Sequence, residues 1–231
     1  MAQQIHIVDT TLRDGSHAVS HSFSPDQVRK IASQLDQSGV YMIEVSHGDG
    51  ISGSSYNYGF GKYPEMDLIA AAADVVKNAK LDILLIPGIG TVADLKRARA
   101  LGVNAVRVAT HVTEADVSAE HIRAAKELDM FAVGFLMMAH MAPPEKIAEQ
   151  AKLMESYGAD YINIADSAGY LLPVTVRGFF PGKDAVLPPK NDEGGWGMVA
   201  PIWILAALTL LLGLCAGSML GAMESLTASL F

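Results

Sequence analysis

Two apolar patterns follow one another along the chain, and the first is a repeated alternation of strand-like and helix-like segments. Short runs rich in β-branched residues predict six strands, over residues 5–8, 41–45, 83–86, 105–108, 132–136 and 161–164. Amphipathic segments between them predict helices over residues 26–38, 67–79, 92–101, 119–128 and 144–157. Strands joined by crossover helices form a parallel sheet. The pattern therefore predicts an α/β fold.

Local start and stop signals support these helices. Ser24-Pro25 supplies a cap and a first-turn proline, and a glycine follows three of the helical segments. Six successive βα units indicate an incomplete (β/α)8 TIM barrel with strands 1–6 only, and a doubly wound open sheet is the alternative. Gly88-Ile89-Gly90 is interpreted as a turn, because no dinucleotide-binding or P-loop motif follows a strand.

The second pattern is an uninterrupted apolar segment near the C-terminus. No charged residue occurs from Gly194 to Met223, and residues 199–220 supply the roughly 20 apolar positions that a membrane-spanning helix needs. A buried core helix is the alternative. Glycine, proline and charge dominate the preceding residues. We therefore expect a partial barrel domain over 1–177, a linker over 178–195, a hydrophobic, transmembrane helix over 196–223 and a short tail over 224–231.

Composition narrows the function classes. The 17 basic and 25 acidic residues give a net charge of −8, which argues against a nucleic-acid-binding protein. Cys215 is the single cysteine, so a disulfide within the chain is excluded. We expect a cytoplasmic location for the barrel domain, with membrane attachment through residues 196–223. The mean hydropathy of +0.25 reflects the apolar segment.

Candidate chemistry follows the first predicted strand, in the sequence DTTLRDGSH over residues 9–17. In a parallel barrel this places Arg13, Asp14 and His17 at the C-terminal rim, where active sites gather. Asp14 offers an oxygen ligand for Mg²⁺ or Mn²⁺. Arg13 offers a planar fork for a carboxylate or an enolate oxygen, and His17 can move a proton at neutral pH. An Arg–Asp pair by itself is more often a salt bridge, but the clustering of three such residues favours a catalytic role.

Longer stretches carry a family resemblance. They include VDTTLRDGSHAVSHSFS (8–24), HVTEADVSAEHI (111–122) and FLMMAHM (135–141), with further matching stretches at 43–60, 84–95 and 164–177. The chain from about residue 5 to residue 177 resembles the 4-hydroxy-2-oxovalerate aldolases of the metal-dependent aldolase–lyase barrels.

The resemblance implies a reaction and a set of roles. The reaction is cleavage of 4-hydroxy-2-oxopentanoate, a 2-keto acid, to pyruvate and acetaldehyde in the degradation of aromatic compounds. Asp14 is implied to bind a divalent ion, usually Mn²⁺ or otherwise Mg²⁺, and Arg13 to stabilise the pyruvate enolate. His17 is implied to take the proton of the 4-hydroxyl, and Ser167 to contact substrate. The family partner is an acylating acetaldehyde dehydrogenase.

Other polar residues near predicted strand ends have weaker support. Ser167 is equally consistent with a helix cap. His47 and Asp49 follow the second strand and are candidates for supporting the metal-binding residues. His21, His111 and His140 are interpreted as structural, because none forms a ligand pair at helical spacing.

The resemblance stops after Arg177. The family continues with a strand that carries a His-x-His metal-binding pair, an eighth strand and a tyrosine proton donor, whereas no histidine follows His140 in this chain. We therefore expect impaired activity because strands 7–8 are missing. The alternatives are an inactive chimeric or truncated product and a membrane-tethered, non-catalytic binding module. Residues 179–189 and 201–214 are similar to an end segment of membrane subunits of proton-conducting complexes.

Overall fold

The computed structural model describes residues 5–167, which form a parallel sheet with helices along one face. Its strands are β1 (Val8–Asp9), β2 (Met42–Glu44), β3 (Lys80–Leu85), β4 (Ala105–His111), β5 (Phe131–Met137) and β6 (Tyr161–Ile164). Its α-helices are α1 (Pro25–Ser38), α2 (Glu65–Ala73), α3 (Val92–Ala100), α4 (Ala119–Glu127) and α5 (Pro144–Ser156). Short 3-10 helices cover Asp14–Val19, Ala115–Ser118 and Ala139–Met141.

The strands pair in chain order, β1-β2-β3-β4-β5-β6, and every pair is parallel. A doubly wound sheet reverses its strand order at a switch point, and no reversal occurs between residues 5 and 167. Sequential parallel pairing with helical crossovers is the arrangement of a (β/α)8 barrel. The prediction of a partial barrel built from strands 1–6 is therefore confirmed, and the open-sheet alternative is wrong.

The sequence signals at the helix ends act as expected. Ser24 and Gln27 form a reciprocal capping box at the start of α1, and Gly39 ends that helix at a φ of 82°. Thr91 and Asp94 form the same kind of box at the start of α3. The Gly88–Gly90 segment is a turn, as predicted, in which the amides of Ile89 and Gly90 donate to the carbonyl of Ile86.

One helix is shorter than predicted. Helix α2 ends at Ala73, whereas the pattern predicted a helix to Ala79. The carboxylate of Asp36 accepts hydrogen bonds from the backbone amides of Lys77, Asn78 and Ala79, at 2.7–3.1 Å. Burial raises the pKa of Asp36, but these amides outweigh burial and lower it below its usual range. Asp36 thus holds residues 77–79 in the segment that leads directly into β3.

Several strand boundaries also differ from the prediction, and β4 ends at His111 rather than at Val108. Strand β3 begins at Lys80 rather than at Ile83. Lys80 and Asp82 are polar and hid the start of the strand, but they alternate with the buried Leu81 and Ile83, as the residues of a strand do. Strand β1 is confined to Val8–Asp9 rather than 5–8.

The two faces of the sheet bury different side chains. The outer face, defined by residues such as Ile43, Ile83 and Val106, packs with the helices in the main hydrophobic core. The inner face, defined by the alternate residues Met42, Glu44, Asp82, Ala105, Arg107 and Val133, includes a smaller apolar cluster of Met42, Ala105 and Val133. At the start of the strands Lys80 lies over the rings of Tyr41 and Phe131, at 4.9 and 5.2 Å. The inner face therefore carries buried charged residues beside a small apolar cluster.

Within residues 5–167, no helix is both long enough and apolar enough to cross a membrane. The segments interpreted as linker (178–195), transmembrane helix (196–223) and tail (224–231) lie outside the described residues, as does the end of the predicted barrel domain (168–177).

Candidate active site

The loop after β1 places the predicted residues at the C-terminal edge of the sheet. The carbonyl of Thr10 accepts hydrogen bonds from the amides of Arg13 and Gly15, which turns the chain into the 3-10 helix Asp14–Val19. Ser20 and His21 then take left-handed backbone conformations, with φ values of 49° and 53°. This tight turn presents Arg13, Asp14 and His17 within five residues of one another, at the edge where barrel active sites lie.

Arg13 is held by a buried carboxylate on the neighbouring strand. Its Nε donates to Oε1 of Glu44 at 2.5 Å, and its side chain is only 11% exposed. Glu44 is fully buried, and its Oε2 accepts a hydrogen bond from Nη1 of Arg107 at 2.8 Å. One carboxylate thus fixes two guanidinium groups. The buried cluster of two cations and one anion is electrostatically suited to a carboxylate or enolate oxygen.

Asp82 is a second buried carboxyl group beside this cluster. It pairs in register with Glu44 across β2 and β3, and it is fully buried. Burial, followed by the negative charge of Glu44, raises the pKa of Asp82 well above its usual range. Burial and the neighbouring Glu44 carboxylate thus favour the protonated form of Asp82, while Glu44 is the carboxylate that pairs with both arginines.

Asp14 reaches out of the cluster. Its Oδ1 accepts a hydrogen bond from Nη1 of Arg13 at 2.7 Å, while 65% of its side chain is exposed. The salt-bridge interpretation of the Arg–Asp pair is thus correct as geometry. It does not exclude the metal-ligand interpretation, because a carboxylate offers two oxygens and several lone pairs.

Three histidines and one aspartate meet between the loops after β1 and β2. Nε2 of His17 lies 3.9 Å from Oδ2 of Asp49, and Nδ1 of His47 lies 3.7 Å from the same oxygen. His21 stacks on His47 with ring centroids 3.8 Å apart and meets His17 edge-on at 4.9 Å. A β-carbon at Gly48 would lie only 2.4 Å from Nε2 of His17, so this glycine makes room for the ring. The structure thus brings His21, interpreted as structural from the sequence, together with His17.

His47 is the fixed member of this group. Its Nδ1 accepts the amide hydrogen of Asp49 at 3.2 Å, and its Nε2 bonds the carbonyl of Gly59 at 3.1 Å. Burial, followed by the charge of His21, lowers the pKa of His47. Glu65 holds the same loop by accepting the amides of His47 and Ser52, and burial raises the pKa of Glu65. His47 and Glu65 therefore position Asp49.

The remaining candidates lie at the ends of β4, β5 and β6. Oγ of Ser167 accepts the amide hydrogen of Met138 at 3.0 Å, which ties the end of β6 to the loop after β5. Nδ1 of His140 lies 3.8 Å from Oδ1 of Asp166. His111 bonds the hydroxyl of Thr113 at 3.0 Å. Ser167 thus has a structural contact, and its contact with substrate stays a prediction.

A small cavity adjoins the histidines but does not suit a keto acid. It measures about 30 Å³, and Ser16, His21, His47 and Tyr63 are among its lining residues. A water needs roughly 10–15 Å³ by the same measure, so the cavity holds at most about two waters.

Sequence reasoning missed the three inner-face residues that organise Arg13. Glu44, Asp82 and Arg107 each interrupt an otherwise apolar strand, in the sequences MIEV, LDILL and AVRVA. A charged residue in a buried strand is rarely tolerated without a partner. That signal could have identified a charged interior, although not which residues pair.

Relatives that are named 4-hydroxy-2-oxovalerate aldolases match the part of the chain that contains this site. The chain is 64% identical over 176 residues to the 4-hydroxy-2-oxovalerate aldolase of Moorella thermoacetica, covering 76% of this chain and 52% of that protein. It is 58% identical over 177 residues to the 4-hydroxy-2-oxovalerate aldolase of Carboxydothermus hydrogenoformans, covering 77% and 53%. The chain spans about half the length of these relatives. The family resemblance is confirmed.

Solved structures and a family profile agree on the fold. The carboxyl transferase domain of Rhizobium etli pyruvate carboxylase superposes with a TM-score of 0.61 at 16% identity, covering 77% of this chain and 33% of that one. At this identity the likeness concerns the fold alone. A profile described as HMGL-like matches residues 4–192, which is most of the chain. The chain therefore belongs to the HMGL-like family.

Proposed function

We propose that this chain is a carbon–carbon lyase of the 4-hydroxy-2-oxovalerate aldolase type. The substrate is 4-hydroxy-2-oxopentanoate, and the products are pyruvate and acetaldehyde. The observation that carries the proposal is Arg13, which is fixed at the rim by the buried Glu44 beside His17 and Asp14. The relatives that share this sequence over 173–177 residues and carry the aldolase name support it.

The proposed step is a retro-aldol cleavage in which His17 is the base. His17 accepts the proton of the 4-hydroxyl, the C3–C4 bond breaks, and its electron pair moves into the enolate of pyruvate. Arg13 stabilises the negative charge that develops on the enolate oxygen. Return of one proton to C3 completes pyruvate, and the C4 fragment leaves as acetaldehyde. Ser167 is proposed to contact the substrate from the end of β6.

Asp14 fits one position of an oxygen-preferring divalent ion. Its exposed carboxylate faces the rim, and carboxylates suit Mg²⁺ and Mn²⁺. We propose Mn²⁺, or otherwise Mg²⁺, as the ion held by Asp14. When bound, the ion polarises the 2-keto group as a Lewis acid.

Metal affinity is proposed to be low and activity impaired in this chain. No histidine follows His140, so residues 178–231 cannot supply the His-x-His pair that the family resemblance implies. A divalent ion held by one carboxylate and waters is weakly bound. This observation also favours the alternatives, an inactive chimeric or truncated product or a non-catalytic binding module.

The test measures pyruvate release from 4-hydroxy-2-oxopentanoate while Mn²⁺ is titrated. We expect slow release that rises with Mn²⁺ and is lost in Asp14→Ala. Asp26→Ala is the matched control, because Asp26 is a 94% exposed carboxylate paired with Arg29 on α1. Absence of release from cooperatively folded protein at saturating Mn²⁺ would overturn the lyase proposal and favour the non-catalytic alternatives.

Three wider proposals concern the partner protein, the pathway and the membrane. An acylating acetaldehyde dehydrogenase would receive the aldehyde, and the reaction would serve degradation of aromatic compounds.

Membrane attachment through residues 196–223 is supported by their uncharged, apolar sequence. Recovery of the full chain in the alkali-washed membrane fraction is the expected result, and recovery in the supernatant without detergent would contradict it.

A further inference from the structure

A second group of potential metal ligands lies beside the proposed base. One nitrogen each of His17 and His21 and one oxygen of Asp49 lie within 4.8 Å of one another. We propose that these three side chains form a site for a transition-metal ion of the Zn²⁺ type, and that the bound ion inhibits the lyase by occupying His17. The inhibitory role rests on the proposed function, whereas the metal site itself does not.

The distances suit one ion shared by three ligands. Nε2 of His17 and Oδ2 of Asp49 are 3.9 Å apart, which is too far for a direct hydrogen bond. Ligand atoms around one tetrahedral Zn²⁺ at its usual bond lengths lie about 3.4 Å apart. The side chains of His17 and Asp49 are 46% and 27% exposed, so rotation can close the remaining gap of about 0.5 Å between them.

The ring of His21 is held by two contacts. Its Nδ1 lies 2.9 Å from the hydroxyl of Ser16, a residue only 5% exposed. A ligating histidine usually donates its other ring N–H to such an acceptor, which directs the lone pair of the first nitrogen toward the ion. In the tautomer that carries its proton on Nδ1 and donates it to Ser16, Nε2 of His21 carries that lone pair. The stacking of His47 on His21 further restricts the ring.

The ligand chemistry separates this site from Asp14. Imidazole nitrogens prefer Zn²⁺ and its late-transition neighbours, whereas oxygen ligands prefer Mg²⁺ and Mn²⁺. Two histidines, one carboxylate and an open fourth position form a common zinc arrangement. Asp14 is not part of this cluster. Each ion therefore has its own preferred position, and Mn²⁺ at Asp14 does not compete effectively for the histidine cluster.

Occupancy would block the proposed proton transfer. A nitrogen lone pair of His17 that binds a metal ion cannot accept a proton. His17 is the one residue common to the zinc site and the proposed reaction. Zn²⁺ at this site is therefore an inhibitor rather than a cofactor.

The first experiment measures binding without any turnover. Full-length protein is titrated with Co²⁺, a spectroscopic substitute for Zn²⁺. The readout is the visible absorption of a four- or five-coordinate Co²⁺–histidine centre. Zn²⁺ should displace the bound Co²⁺ at one ion per chain. We expect His21→Ala and Asp49→Asn to weaken binding by at least about tenfold. His121→Ala, a histidine on α4, and Asp14→Asn should leave the affinity unchanged.

Unchanged affinity in both His21→Ala and Asp49→Asn would overturn the proposal, as would the absence of the Co²⁺ absorption from the wild-type protein. The Asp49→Asn variant keeps the side-chain shape, so a failure of His21→Ala to fold leaves the test intact.

The second experiment measures pyruvate release with Mn²⁺ fixed and Zn²⁺ increased. Inhibition of the wild-type protein should follow the occupancy measured with Co²⁺, and Asp49→Asn should require at least about tenfold more Zn²⁺ for the same fractional inhibition. Binding without inhibition would retain the metal site and reject its inhibitory role. Binding without any pyruvate release would reject the lyase proposal and retain the site.

Discussion

The two faces of the sheet differ in what their side chains do, although the same strands supply both. On the outer face, Ile43 and Ile83 are fully buried against the helices in an apolar core. Glu44 directly follows Ile43, and Asp82 directly precedes Ile83. Both lie on the inner face as buried carboxyl groups. Because successive side chains of a strand point to opposite faces, one strand can supply apolar core residues to one face and charged residues to the other.

The physical reason lies in the two environments. The outer face meets amphipathic helices, so apolar burial dominates its free energy. The inner face of a barrel is filled by side chains from the sheet alone, so a buried charge there needs partners from other strands. Glu44, Arg13 and Arg107 meet that requirement across three segments of the chain.

The largest expected effect is on stability and concerns the outer face. Ile83→Ala removes a fully buried side chain, and it should lower the free energy of unfolding by about 4 kcal/mol. Urea unfolding followed by circular dichroism measures this change. Pyruvate release per folded molecule should stay unchanged, and a loss of turnover larger than the loss of folded protein would break the proposed division between the faces.

The next effect is on activity and concerns the inner face. Glu44→Gln keeps the shape but removes the charge that holds Arg13, so pyruvate release should fall about 100-fold. Ile43→Val, the adjacent outer-face change, is the control and should cost about 1 kcal/mol of stability without affecting turnover. A Glu44→Gln variant with wild-type kcat would show that Arg13 does not depend on this carboxylate.

A smaller effect tests how tightly the outer face is packed. A β-carbon at Gly134 would lie 2.6 Å from Sδ and 3.0 Å from Cβ of the fully buried Met154. Gly134→Ala should therefore lower the free energy of unfolding by about 2 kcal/mol. Gly88→Ala is not a suitable control, because the φ of 92° at Gly88 adds backbone strain. A β-carbon at Gly15 would make an ordinary van der Waals contact, 3.7 Å from Cγ2 of Thr11, so Gly15→Ala should cost less. Equal stability of Gly134→Ala and the wild type would show that α5 can move away from β5.

The smallest effect is a pH dependence at Asp82. Because its folded-state pKa is raised, the folded protein binds a proton that the unfolded chain releases above the ordinary aspartate pKa. The contribution of this group to stability is therefore lost as pH rises from that value toward the folded pKa. Asp82→Asn removes this loss, so its stability relative to the wild type should increase with pH. Melting curves of both proteins at pH 5 and pH 8, chosen as roughly the limits of the stable range, measure the difference. A pH-independent difference would mean that Asp82 is ionised in the folded protein.

Local patterns were sufficient for most of the fold. The six strands and five helices between residues 5 and 167 occur where periodicity and capping residues placed them. The largest difference between the predicted and the observed helices has a long-range cause. Helix α2 stops early because Asp36, some 40 residues away along the chain, accepts the amides that a longer helix would have used. No local signal in residues 74–79 encodes that contact.

The sequence by itself determined the order of elements, the parallel sheet and the rim position of Arg13, Asp14 and His17, because strand and helix periods and helix caps are properties of neighbouring residues. The tertiary structure decided which groups act together. Glu44 meets Arg13 and Arg107 across 31 and 63 residues of chain. His17 and His21 come into reach of Asp49 only because β1 and β2 lie side by side. Such contacts depend on strand pairing and the direction of side chains across the sheet, which a pattern of apolar and polar residues does not specify.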